Sequence, residues 1–170
     1  MASSAAVDAC LIINWSLFSE YDRIRRAFSR LFMPEITFEE IKSEKAKALS
    51  AKWLSERYLV LTPVIEEGEV RKILSLIAMH PEIPTIDPPE LYAFVLAKGL
   101  GIPLLTDNKA PKRLTEIIPE YRNVAVYDSL DILIMTSSKE ELNDVVEKFM
   151  RETSFKFSKR RLESIGYKLG

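Results

Sequence analysis

Two apolar runs in the sequence carry a carboxylate where a strand would give way to a loop or helix. The first is Ala5-Ala6-Val7-Asp8-Ala9-Cys10-Leu11-Ile12-Ile13, and the second is Ile102-Pro103-Leu104-Leu105-Thr106-Asp107. Short apolar runs of this kind suit buried parallel strands that lead into helices. Parallel strands bring such ends to one edge of a sheet, where like charges repel and resist desolvation. A bound divalent cation removes that cost. Mg2+ and Mn2+ take hard oxygen ligands, typically one or two carboxylates with water and a substrate phosphate. The plainer reading of Asp8 and Asp107 is a pair of solvated or capping acids, and the spacing accommodates either.

A third acid opens a helix. In Asp87-Pro88-Pro89-Glu90, Asp87 suits an N-cap, Pro88 the first helical position and Glu90 the third. Glu90 can complete a capping box there, and a first-turn carboxylate also points toward the strand ends. A fourth candidate lies in Pro34-Glu35-Ile36-Thr37-Phe38-Glu39-Glu40-Ile41, which holds three acids. The periodicity does not choose among Glu35, Glu39 and Glu40, and a charged first turn of a long helix is the simpler account.

Other chemistries have little to work with. His80 is the single histidine, and in Met79-His80-Pro81 it reads as a helix-end or loop residue. Cys10 is the single cysteine, has no basic neighbour, and reads as a small core residue. No phosphate-binding glycine loop is present, and Asp8-Ala9-Cys10 lacks the Asp-x-Asp of an aspartyl-phosphate site. Just past Asp107, Lys109, Lys112 and Arg113 are placed either to touch a phosphate backbone or to form a solvated helix face. The tail has Arg151, Lys156, Lys159, Arg160, Arg161 and Lys168 against Glu152 and Glu163, with Phe155, Phe157 and Tyr167 interleaved. Such a segment can bind RNA by charge and stacking, or dock as an amphipathic helix on its own domain or a dimer mate.

The elements that must position these residues alternate. After the first strand, residues 20–31 predict an amphipathic helix with a basic face, and Leu31-Phe32-Met33 a second strand. Residues 36–57 carry the longest helical pattern. Tyr58–Thr62 reads as a strand or an extended connection, Glu66–Met79 as a helix, and the helix from Asp87 ends at Gly99 or Gly101. Lys109–Ile118 predicts a helix, interrupted early by Pro111 and closed by Pro119, and Asn123–Tyr127 a strand. Ser138-Lys-Glu-Glu141 is a capping box for a helix to about Arg151, and Ser158 can cap a last helix to about Lys168. Strands alternating with helices mean an α/β fold with a mostly parallel sheet, whose ligands sit beyond the carboxyl ends of the strands.

With those pieces in order, the sequence resembles a PIN domain. The matching features are Val7-Asp8 on a first strand, Pro34 followed by Glu40-Ile41, and Glu90-Leu-Tyr-Ala-Phe-Val-Leu-Ala97 followed by Pro103-Leu-Leu-Thr-Asp107. PIN domains are metal-dependent nucleases, many of them toxins of type II toxin–antitoxin modules. The resemblance covers roughly residues 5 to 135. It implies a three-layer α/β fold over residues 1–136, with 137–170 as a C-terminal helical extension packed on the same domain or a dimer mate. It implies Mg2+ or Mn2+ held by Asp8, Glu40, Glu90 and Asp107, and it selects Glu40 over Glu39. It implies RNA as substrate, with an antitoxin protein and a homodimer mate as partners. Three positions depart from the family: Cys10 where a small polar residue is usual, Glu90 where Asp is usual, and Thr106-Asp107-Asn108 where Thr-x-Asp is frequent. Asn108 can therefore hold the place of the fourth ligand, as a neutral group. A catalytically weak PIN-like module for RNA binding or assembly is the alternative.

Composition bounds the rest. The chain has 170 residues, which suits one domain, and 47% hydrophobic with 29% charged residues excludes a disordered or fibrous chain. Lys plus Arg is 24 and Asp plus Glu is 25, so a nucleic-acid partner must be held by a local basic patch. A single cysteine, no signal-peptide pattern after Met1 and no long apolar run predict a cytoplasmic protein with no membrane span.

Overall fold

The structure, a computed structural model, describes residues 3–63 and 66–168. Met1-Ala2, Val64-Ile65 and Leu169-Gly170 lie outside the described residues, and with them the outer ends of the divisions 1–136 and 137–170.

Five strands form one sheet in the order β3-β2-β1-β4-β5, every neighbouring pair parallel. They are β1 (Ser3–Val7), β2 (Phe28–Pro34), β3 (Leu59–Thr62), β4 (Leu104–Leu105) and β5 (Val126–Tyr127). The expected α/β arrangement is present, and the sheet is wholly rather than mostly parallel. Strand alternation feeds two cores. Ala5, Val7 and Leu105 face one with Trp15, Trp53 and Phe149, while Ala6 and Leu104 face the other with Phe94 and Tyr121.

The first core is covered by α1 (Ala9–Ser16), α3 (Glu44–Ser55), α7 (Ser129–Thr136) and α8 (Leu142–Thr153). The second is covered by α4 (Glu67–Met79), α5 (Pro88–Leu100) and α6 (Ala110–Ile117). The C-terminal segment belongs to the first core. Phe149 meets Trp15 and Phe18 at centroid distances of 5.6 and 5.1 Å, and Leu162 of α9 (Lys159–Ser164) is buried with them. Burying a Phe side chain is worth about 1.5–3 kcal/mol, so Phe149 and Leu162 each contribute to seating the segment on this core.

Several expected boundaries move. The first apolar run divides: the strand stops at Val7, and Asp8 caps α1 through Oδ1, which accepts from Ala9 N at 2.8 Å. The helix expected over 20–31 is one 3-10 stretch, Tyr21–Arg26, and β2 begins at Phe28. The long helix expected over 36–57 is split into α2 (Glu35–Phe38) and α3. Ser43 starts the second piece by accepting from Ala46 N at 3.3 Å, while Ile41 is buried between them. Pro111 does not interrupt α6, because in the first turn its missing N–H leaves no bond unmade. α9 ends at Ser164, short of Lys168. α7 has no counterpart among the expected elements. Its signal is Asp128-x-x-Asp131, a reciprocal cap with bonds of 2.9 and 3.0 Å.

Candidate metal centre

In a parallel sheet every strand-to-helix junction falls at the same edge. Here β1 leads to α1, β4 to α6 and β5 to α7, and α5 starts beside them. The positive ends of these helices gather at the carboxyl edge, which favours acidic side chains there. Each start has its own acceptor. Asp8 caps α1, Glu90 lies in the first turn of α5, Asn108 Oδ1 accepts from Ala110 N at 2.9 Å, and Asp107 Oδ1 accepts from Ser129 N at 2.8 Å.

Asp8 is 3% exposed. Its Oδ2 accepts from the Thr106 hydroxyl at 3.1 Å and from the Cys10 thiol at 3.2 Å. Glu90 is fixed by the Pro88-Pro89 start of α5, and its Oε2 accepts a long bond, 3.4 Å, from Asp87 N. Its Oε1 accepts from Asn108 Nδ2 at 2.6 Å. Thr106 joins the halves of the cluster, accepting from Asn108 N at 3.1 Å while donating to Asp8.

Burial raises the Asp8 carboxyl above the usual range, against the opposing bonds from Cys10, Ala9 and Thr106. Burial also raises Glu90, and the Asp8 charge adds to it, against the bond from Asn108. The two acids therefore resist being ionised together. The Cys10 thiol is pushed well above its usual value by burial and by the Asp8 charge, so it stays protonated and serves Asp8 as a donor.

Asp8, Cys10 and Glu90 each offer a ligand atom, these atoms lie within 4.8 Å of one another, and the three could hold a metal ion. The chemistry of this set fits a hard cation. Two carboxylates supply oxygen, the neutral thiol is a poor ligand, and a cation would offset the burial that raises both acids.

The other expected ligands stand elsewhere. Asp107 lies on the opposite side of its loop from Thr106 and Asn108, as alternation along an extended chain requires. Its Oδ2 accepts from Asn14 Nδ2 at 2.8 Å and from Ser129 Oγ at 2.6 Å, so the carboxylate ties β4 to α1 and α7. It is not brought into the Asp8–Glu90 cluster. Glu40 is exposed in the turn after α2, makes no side-chain hydrogen bond, and is also outside the cluster. The preceding helix, α2, does reach α5, because Thr37 Oγ1 donates to Pro89 O at 2.6 Å. Asn108 is in the cluster, but as a donor: its oxygen is turned to Ala110 and its amide nitrogen to Glu90. Lys109, Lys112 and Arg113 are exposed on the first turn of α6, Arg113 paired with Glu116 at 3.2 Å.

Thr106 and Asn14 had no role in the residue-level reading. The signal for Thr106 was its place one residue before Asp107, which puts it on the Asp8 side of the strand. A second acidic group, Asp128 with Asp131, was also unread. Arg161 Nη2 joins it at 3.0 and 2.7 Å, fastening α9 to the start of α7. Among the described residues no helix is long and apolar enough to cross a membrane. Compared with family models, curated proteins and solved structures, the chain matches none.

Proposed function

We propose that the Asp8–Glu90 cluster binds Mg2+ or Mn2+ and that the chain hydrolyses phosphodiester bonds in RNA. The observation that carries this reading is a pair of buried or half-buried carboxylates at the carboxyl edge of a parallel sheet whose hydrogen bonds, among the described residues, all come from neutral donors. Asp8 and Glu90 would hold the ion through oxygen. Thr106 and Cys10 fix the Asp8 carboxylate, and Asn108 fixes Glu90. When bound, the cation supplies a water of lowered pKa and neutralises charge developing on the phosphate. A protein antitoxin and a second copy of the chain are the partners this reading brings with it, both in the cytoplasm.

A second reading is a catalytically weak RNA-binding or assembly module. The bonds from Cys10 to Asp8 and from Asn108 to Glu90 favour it, because they partly satisfy the acids without an ion. Incubation of a labelled single-stranded RNA with the full chain separates the two. Cleavage that needs Mg2+ or Mn2+, stops in EDTA and falls at least a hundredfold in Asp8→Asn is expected. RNA bound but left intact in both metals would leave the module; cleavage in EDTA would sink the metal reading.

A further inference from the structure

Two hollows adjoin at the β4–α6 loop, sharing Lys109, Lys112, Asp128, Ser158 and Arg161. The larger is about 660 Å³. Lys109, Lys112 and Arg113 line it from α6, and Arg160 and Arg161 line it from α9. Its acids are Glu82, Glu116 and Asp128. Two are paired, Glu116 with Arg113 and Asp128 with Arg161, while Glu82 lies 3.3 Å from the imidazole of His80, a charge partner only when protonated. Lys109, Lys112 and Arg160 are exposed and make no ion pair among the described residues. Three cations on two facing walls thus line one groove in which, among the described residues, Glu82 is the single carboxylate without a permanently charged partner.

The smaller hollow, about 70 Å³, extends this groove as a narrow cleft to Thr106, Asp107 and Asn108, beside the metal cluster, and to Phe155, Lys156 and Phe157. Phe157 stacks on Phe149 at 5.7 Å and 19°, which anchors the segment. Phe155 stands edge-on to Phe157 at 5.5 Å and is half-buried. A basic track bordered by aromatic rings is the general solution for single-stranded nucleic acid, with phosphates on the cations and bases on the rings.

We infer that the groove between α6 and α9 holds the backbone of a single-stranded polynucleotide, with the segment after α8 supplying its second wall. The choice of a nucleic acid over another polyanion rests on the phosphodiesterase reading above. The docking of α9 and its basic face are then one device: Leu162 and the Arg161–Asp128–Asp131 bonds seat the helix, and Arg160 is left facing the groove.

The test uses the full chain, a fluorescein-labelled 12-nucleotide single-stranded RNA and EDTA throughout, with anisotropy read across a salt series. The variant Lys109→Gln/Lys112→Gln/Arg160→Gln removes three exposed charges that make no hydrogen bond, so its melting temperature should match the wild type. Its affinity should fall at least tenfold. Its slope of log K against log salt should shrink by about 2, since each phosphate contact on a single strand contributes about 0.7. A control, Arg30→Gln/Lys42→Gln/Lys139→Gln, should bind as the wild type does. An unchanged slope in the groove variant, an equal loss in the control, or equally tight binding of duplex RNA or of poly-glutamate would each overturn the inference. The phosphodiesterase reading fails separately. Groove-dependent binding with no cleavage in Mg2+ or Mn2+ keeps the groove and removes the nuclease. Metal-dependent cleavage with an unchanged KM in the groove variant does the reverse.

Discussion

Two pairs of carboxylates sit at the carboxyl edge of this sheet, and the chain treats them differently. Asp128 and Asp131 cap α7, and Arg161 reaches both from α9. Asp8 and Glu90 cap or open α1 and α5, and among the described residues no cationic side chain pairs with either. Burial raises Asp128 as it raises Asp8, but Asp131 ends below its usual value because, against burial, the Asp128 backbone and Arg161 bond its carboxylate. Glu90 has only neutral donors and ends above. An acid pair supplied with its own arginine is a fastening. An acid pair supplied with a thiol, a hydroxyl and an amide has its geometry fixed while its charge is left unmatched, and that is the arrangement an external cation can use.

Opposite responses to mutation are the sharpest test of this contrast. Arg161→Ala should destabilise by about 2–3 kcal/mol, less than the 3–5 typical of a fully buried pair because a third of the Arg161 side chain is exposed. At roughly 2–4 °C per kcal/mol for a chain of this size, calorimetry should find the melting temperature down by roughly 4–12 °C. Asp8→Asn should leave the metal-free protein as stable or more stable. Asn caps a helix as well as Asp does, and one of two crowded charges is gone. Because the folded state raises both acids, it takes up protons above the ordinary carboxylate range. The wild type is then penalised at neutral pH and recovers as pH falls. In EDTA the advantage of Asp8→Asn should narrow as the pH is lowered from neutral toward the ordinary carboxylate range. A clear loss of stability in Asp8→Asn would make Asp8 a fastening like Asp128 and erase the distinction.

Asp107 tests the contrast from within one loop. It follows Thr106 and precedes Asn108, yet its three hydrogen bonds go to Asn14 and Ser129. Asp107→Ala should cost about 1.5–2 kcal/mol, the usual loss for hydrogen bonds to a charged group on a half-buried site. The rise in melting temperature produced by Mn2+ should survive it. Loss of that rise with little change in metal-free stability would return Asp107 to the cluster.

The local chemistry of these elements was legible in the sequence, and the facing of their side chains was less so. The Asp87-Pro88-Pro89 start, the Gly101 end with its φ of 64° and the Leu104-Leu105-Thr106-Asp107 run place Glu90 and the β4 loop from residue type alone. Spacing could not say which of Thr106, Asp107 and Asn108 turns toward Asp8, because that depends on where the strand ends relative to its neighbours. Glu40 raised the same difficulty. Its position after Pro34 was readable, but the break of the helix at residues 39–43 comes from the Ser43 cap and the buried Ile41, so a continuous helical pattern was the wrong frame for it. α7 escaped because a run as apolar as Leu130–Met135 has no amphipathic period to detect; only its two capping aspartates mark it. The Arg161 clamp joins residues 30 and 33 positions apart, which no local pattern encodes.

The smallest effect belongs to Asn108, and it tests whether the unmatched charge of the cluster is adjustable. Asn108 presents nitrogen to Glu90 and oxygen to Ala110. Asn108→Asp keeps an acceptor for Ala110 N but replaces the donor toward Glu90 with a second oxygen. Metal-free protein then holds a third carboxylate where two already resist ionisation, and should lose about 1 kcal/mol or less, given solvent access at this half-exposed position. With Mn2+ added the sign reverses: a third anionic oxygen strengthens binding of a hard cation. Differential scanning fluorimetry across a Mn2+ titration should therefore show a lower starting melting temperature, a larger total rise and a midpoint at lower metal concentration than the wild type. A lower start with the same midpoint would mean that Asn108 only orients Glu90 and that the ion sits beyond its reach. An unchanged start would mean that the new acid turns to solvent, leaving the Asp8–Glu90 pair as the whole of the charged site.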